Sequence, residues 1–176
     1  RGAVARVRFG RGLGGTVGGI TPGGTRGPDG FYSEQTLREA LKIPVVHDDQ
    51  HGTAIISGAA LLNALELVTK NIADVRVVFS GAGAAALSTA EHYVRLGVTR
   101  EHITMCDLHG VVYVGRTEAM DPYKARFARD TPMRTAAEAL VGADAFVGLS
   151  VGGAITGSIV AKMADRPHII ATANPV

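Results

Sequence analysis

The residues Asp74-Val-Arg-Val-Val-Phe-Ser80 run straight into Gly81-Ala-Gly-Ala-Ala-Ala-Leu87, and this junction constrains the fold more than any other stretch of the chain. Its first part is a short, apolar, β-branched run bounded by polar residues, the pattern of a buried strand. Its second part opens a helix over Ala84 to Leu96. Strand, glycine turn and helix in immediate succession are the context a dinucleotide fingerprint requires. Gly81 permits the tight turn, and Gly83 lets the backbone approach a pyrophosphate. Ala86 holds the third position, where small size lets helix and strand pack closely. Ala82, Ala84 and Ala85 complete a turn whose free N–H groups, with the positive end of the helix, suit phosphates. A glycine turn alone is a weak signal, because many α/β loops carry one. The next strand adds to it: His102 to Asp107 ends in a carboxylate 21 positions beyond Ala86 (107 against 86). That is close to the spacing of an acid that binds the adenosine ribose. Asp107 would accept from a 2′-hydroxyl and repel a 2′-phosphate, favouring NAD, whereas His109 and Arg116 could supply the positive charge NADP needs. An aspartate capping a strand-end turn is the simpler alternative.

The alternation continues downstream. Gly110 to Arg116 reads as a loop, with a short helix after Asp121. Thr135 to Val141 reads as a helix ended by Gly142, and Ala143 to Ser150 as a strand. A helix over Ile155 to Ala164 and a last strand over His168 to Ala173 follow. Strands and helices alternating at these lengths imply an α/β fold, a doubly wound parallel sheet of the Rossmann-like kind, with ligands at the strands' carboxyl ends. A second glycine turn, Val151-Gly-Gly-Ala154, and Asn174-Pro175 also follow strands. Asn-Pro there is in itself an ordinary turn initiator.

A second constellation lies upstream. Ile43-Pro-Val-Val-His-Asp-Asp-Gln-His-Gly-Thr-Ala54 sets two adjacent aspartates, Asp48 and Asp49, between two histidines. Carboxylates are rarely buried unless paired or bound to a metal. In an extended segment the two would point opposite ways and do different work. Alternatively they precede a helix whose N-cap is Thr53, near its positive dipole end. A helix over Ser33 to Leu41 and a short strand, Pro44-Val45-Val46, are expected before them. The segment after them, Ala54 to Leu67, is apolar on nearly every face and reads as a buried helix.

These strings carry a resemblance. HDDQHGTA, GAGAAA, the segment Asp121-Pro-Tyr-Lys-Ala-Arg-Phe-Ala128 and Ala173-Asn-Pro-Val176 are similar to signatures of malic enzymes, over residues 31 to 176. The resemblance implies oxidative decarboxylation of malate to pyruvate and CO2, reduction of NAD or NADP, and a divalent cation, Mg²⁺ or Mn²⁺, which suits carboxylate ligands. It makes Asp49 a metal ligand, Asp48 its catalytic neighbour and Asn174 a contact of the substrate carboxylate. It assigns Thr53, Gly81, Ala82, Gly83, Ala84, Ala85, Ala86 and Asp107 to the cofactor. It also implies a homo-oligomer in the cytoplasm. On this basis residues 31 to 52 end the N-terminal malic domain and lead to the metal site. Residues 53 to 176 form the NAD(P)-binding domain, with the fold incomplete at both ends relative to the family. Similar proteins have LEDIKAPECF where this chain has Pro22 to Phe31, so the family's Glu-Asp metal pair falls on Gly23 and Gly24, which offer no ligand. The family's acid–base tyrosine and lysine belong to a domain upstream. The expectation is a cofactor-binding fragment of a malic enzyme, and the alternative is a nucleotide-binding module without catalysis.

Composition excludes other classes. Hydrophobic residues at 46% and charged residues at 19% fit a folded domain, and no run is expected to reach the roughly 20 apolar residues of a membrane span. The single cysteine, Cys106, cannot form an intramolecular disulfide, fits a reducing compartment and reads as core. The net charge of +2 conceals an asymmetry: residues 1 to 28 hold five arginines and no acid, the remainder 13 basic and 16 acidic residues. The basic excess lies in a glycine-rich stretch with no aromatic interleaving beyond Phe9, so nucleic acid is not an expected partner. Residues 1 to 30 are expected to be irregular, and either disordered or poorly packed or, by the resemblance, not native to the family.

Overall fold

A computed structural model describes residues 2–22, 29–150 and 155–172, apart from the side chains of residues 2, 3 and 49. The apolar run before the glycine turn forms β1 (Val77–Ser80), the central strand. Side chains alternate across a strand, and here both faces meet apolar partners. Val77 and Phe79 join a core with Leu61, Leu65, Tyr93 and Met105, while Val78 joins another with Cys106, Leu140 and Phe146. Parallel to β1 lie β2 (Ile103–Asp107) on one side and β4 (Ala145–Gly148) on the other, with β5 (His168–Ala171) parallel beyond β4. The helices α3 (Asp48–Val68) and α4 (Ala84–Leu96) cover the first face, and α6 (Ala136–Ala139) and α7 (Gly157–Val160) the second. The sheet is doubly wound, as expected. From β1 the chain goes to β2 on one side and later returns to β4 on the other, so the switch point lies at the carboxyl end of β1.

Several local expectations are corrected. The loop foreseen after Asp107 is a hairpin: β3 (Gly110–Val111) pairs antiparallel with β2, so the sheet is not wholly parallel. Its turn is held by the His109 backbone N–H, which donates to Asp107 Oδ1 at 2.9 Å, a local bond that hydrophobic periodicity does not register. Pro44 to Val46 forms no strand; Val45 makes only an isolated bridge with Ile20. The acid pair is not extended either. α3 begins at Asp48 with His47 as N-cap, so Thr53 lies inside the helix and is not its cap.

α3 is buried along one stripe and not all round. Ala54, Ser57, Leu61 and Leu65 are buried, whereas Ile55, Ile56 and Leu67 are 60%, 74% and 85% exposed. Gln50–Val68, 19 residues, is long and apolar enough by length and composition alone to cross a membrane, though Gln50, His51, Asn63 and Glu66 interrupt it and it is no run of about 20 apolar residues. Its buried stripe packs on α4: the Tyr93 hydroxyl donates to the Ser57 carbonyl at 3.1 Å.

The glycine- and arginine-rich N-terminal stretch is helical over α1 (Gly2–Leu13), and not irregular. Val7 is buried with Leu37 of α2 (Asp29–Ala40) and with Val45. A Cβ at Gly10 would press on Leu37, and one at Gly14 on Leu41. Glycines that suggested a flexible chain instead allow a close helix–helix approach.

Candidate functional site

The turn after β1 is built as the fingerprint requires. The Gly81 N–H donates to the Cys106 carbonyl at 2.7 Å, tying the turn to the end of β2. Gly81 has φ +124°, and a Cβ there would lie 3.2 Å from the backbone of Leu149, just after β4, so that neighbour as well as the turn demands glycine. Gly83, the N-cap of α4, has φ −87° and ψ −172°, which any residue adopts. A Cβ at Gly83 would meet nothing within 4 Å. The protein therefore leaves open the space in front of the α4 N-terminus, where a pyrophosphate would meet free N–H groups. Ala82, Ala84 and Ala86 are buried beneath the turn and Ala85 is partly buried. The residues present fit a dinucleotide.

Asp107 ends β2 beside this opening. Its Oδ2 accepts from Arg116 Nη2 at 2.6 Å and from Lys124 Nζ at 3.1 Å. Burial alone would raise its pKa. The hydrogen bonds from Arg116, the His109 N–H and Lys124 outweigh that and hold it below the usual carboxylate range. Arg116 is itself buried and also donates to the carbonyls of Gly110, Val111 and Glu118. Lys124 stands on α5 (Pro122–Ala125), whose start is capped by the Asp121 carboxylate accepting from the Tyr123 and Lys124 N–H groups. Sequence reading named Arg116 as a source of charge. It missed Lys124, 17 positions from Asp107, because no local pattern joins the two.

A cavity of about 210 Å³ brings these groups together, lined by Phe31, Ala82, Gly83, Ala84, Leu87, Asp107, Asp121, Tyr123 and Lys124. A larger one of about 460 Å³ lies among α2, α3, α4 and α5 and shares Phe31, Leu87 and Tyr123 with it. The smaller holds the glycine turn and the strand-end acid, and so the chemistry.

The acid pair opens α3. Asp48 is exposed and its side chain folds over Gly52, where a Cβ would overlap its Oδ1. His51 Nε2 lies 2.7 Å from Oε1 of the buried Glu34, fastening this first turn to α2. Gln50 Oε1 lies 3.5 Å from Ser88 Oγ, which sets the start of α3 beside the start of α4. The side chain of Asp49, residues Gly23 and Gly24, the turn at Val151 to Gly153, and Asn174 lie outside the described residues. Among the described residues no group of three His, Cys, Asp or Glu side chains could hold a metal ion, so they do not by themselves fit the cation the resemblance called for.

The family "Malic enzyme, NAD binding domain" matches residues 50–176. The chain belongs to the malic enzyme family. Its glycine turn and Asp107 fall inside the matched region, and α1 and α2 fall before it. An NADP-dependent malic enzyme of Rhizobium meliloti is 48% identical over 169 residues, covering 96% of this chain and 22% of that protein. A match of that extent reaches into the first thirty residues, which the resemblance had set apart from the family. An NAD-dependent malic enzyme of the same organism is 49% identical, covering 91% of this chain and 21% of that protein. The crystal structure of an NAD-dependent malic enzyme from Thermotoga maritima superimposes with a TM-score of 0.92 at 35% identity, covering 99% of this chain and 47% of that one. This malic enzyme chain thus spans about a fifth of the length of these curated relatives.

Proposed function

We propose that this chain supplies the dinucleotide site of a malic enzyme, holding NAD or NADP for the oxidative decarboxylation of malate to pyruvate and CO2. The observation that carries the reading is the open space at Gly83 before the α4 N-terminus, with Asp107 beside it. Asp107 is already paired with Arg116 and Lys124, so its charge is largely met within the protein and a 2′-phosphate is not repelled. NADP therefore fits as well as NAD. The family reaction calls for Mg²⁺ or Mn²⁺, and in this reading Asp49 is the carboxylate that meets the cation, with Asp48 next to it. Gly23 and Gly24 stand where similar proteins carry a metal-binding Glu-Asp pair.

In this reading Gly23 and Gly24 leave the cation loosely held, so this chain by itself binds cofactor without turning over malate. A misplacement of about 1 Å can cost on the order of a hundredfold in rate. Calorimetry with NAD and NADP, followed by incubation with malate and Mn²⁺ and an assay for pyruvate, tests both halves. The expected result is dinucleotide binding without pyruvate. Absence of binding by either cofactor sinks the first half, and sustained pyruvate formation that disappears in Asp49→Ala sinks the second. In the second outcome the chain is a working enzyme and not a nucleotide-binding module.

A further inference from the structure

Phe31 lies outside the region matched to the NAD-binding family, which begins at residue 50. Its ring nevertheless stacks on Tyr123 with centroids 4.5 Å apart and planes inclined by 20°. Both rings line the 210 Å³ cavity that holds Gly83, Asp107 and Lys124. The pair is fixed from both sides. Asp121 caps the helix that carries Tyr123, and Lys124 of that helix reaches Asp107. Phe31 sits near the start of α2, which Glu34 ties to His51 and Leu37 ties to Val7 and Val45. An aromatic wall beside a phosphate-binding turn and a ribose-binding carboxylate suits a flat heteroaromatic base, because each base offers a π-face for stacking.

We propose that Phe31 is a cofactor-contact residue: with Tyr123 it forms the wall on which the adenine of the dinucleotide packs, so that α2 closes the adenosine end of the groove. The inference rests on the dinucleotide reading above and adds to it a contact from outside the nucleotide-binding unit.

The test uses ADP-ribose, which carries the adenosine half and the pyrophosphate without nicotinamide, and its fluorescent 1,N6-etheno analogue. Phe31→Leu keeps an apolar side chain of similar bulk and removes the aromatic face, and Phe31→Tyr keeps the face. Affinity for ADP-ribose is expected to fall about fivefold or more in Phe31→Leu, within the range of base–aromatic stacking, and to stay near wild type in Phe31→Tyr. The bound etheno base is expected to be quenched in wild type and Phe31→Tyr and brighter in Phe31→Leu at saturation, a readout that loss of packing elsewhere would not move. Phe31→Leu binding ADP-ribose within twofold of wild type, with the same quenching, overturns the inference and leaves the dinucleotide reading standing. Failure of wild type to bind ADP-ribose overturns both.

Discussion

Gly83→Val separates the role of this glycine in folding from its role in binding. The backbone at Gly83 is extended, and an added Cβ meets no atom within 4 Å, so the variant has neither φ strain nor a clash to absorb. It loses a tolerable N-cap, because glycine caps helices far better than valine does. That costs about 0.5–1 kcal/mol, or a fall in Tm of roughly 1–4 °C for a chain of this size. Binding suffers more. The two valine methyls take up the space in which a pyrophosphate would approach the α4 N–H groups, and an affinity loss of at least about tenfold, 1.4 kcal/mol, is expected. Gly81→Val is the counterpart. Its φ of +124° and the Leu149 backbone at 3.2 Å make it a folding defect of about 1–3 kcal/mol, whatever ligand is present. Calorimetry with NAD and NADP alongside thermal unfolding reads both effects. Unchanged affinity for both dinucleotides in a folded Gly83→Val protein would refute the placement of the pyrophosphate at this turn.

Asp107→Asn removes a carboxylate whose pKa is held low by Arg116, the His109 N–H and Lys124. The stability it contributes is present above its unfolded pKa of about 3.9 and disappears as pH falls through the lower folded value. Urea titrations should therefore show wild type ahead of the variant at pH 7, with the gap narrowing below about pH 4; a gap that widens in acid contradicts the ion-pair assignment. The same substitution leaves Arg116 and Lys124 without their carboxylate, so the ratio of NADP to NAD affinity should rise. The Cys106 thiol is buried and pushed up to about 12, first by burial and then by Asp107, so it should resist Ellman's reagent at pH 8 in the native protein and react on denaturation. Prompt native labelling would show that the β2 core opens.

Much of the architecture followed from local sequence. β1, α4 and the turn between them were legible because a buried strand, a glycine turn and an amphipathic helix each leave a short-range signature. Asp107 was found from spacing, since a strand and a helix of ordinary length fix the distance from turn to acid. Family strings added the acid pair of α3, whose roles no periodicity reveals.

Tertiary structure decided the rest, for a common reason: the deciding partner lies far away in sequence. Apolar residues around α3 said nothing of which stripe would meet α4. Gly10 in α1 and Gly14 just after it spelled flexibility until Leu37 and Leu41 came to lie against them. Local sequence left Asp107 between an acid suited to NAD and one offset by His109 or Arg116, and the folded chain sets the Arg116 and Lys124 side chains on it. Phe31 and Tyr123 are 92 positions apart (31 to 123) and become one wall only through packing. Sequence by itself determined the strand, the turn and the acid, because their geometry is set by neighbours along the chain. Charge balance and cavity walls are set by neighbours in space, and only the fold supplies those.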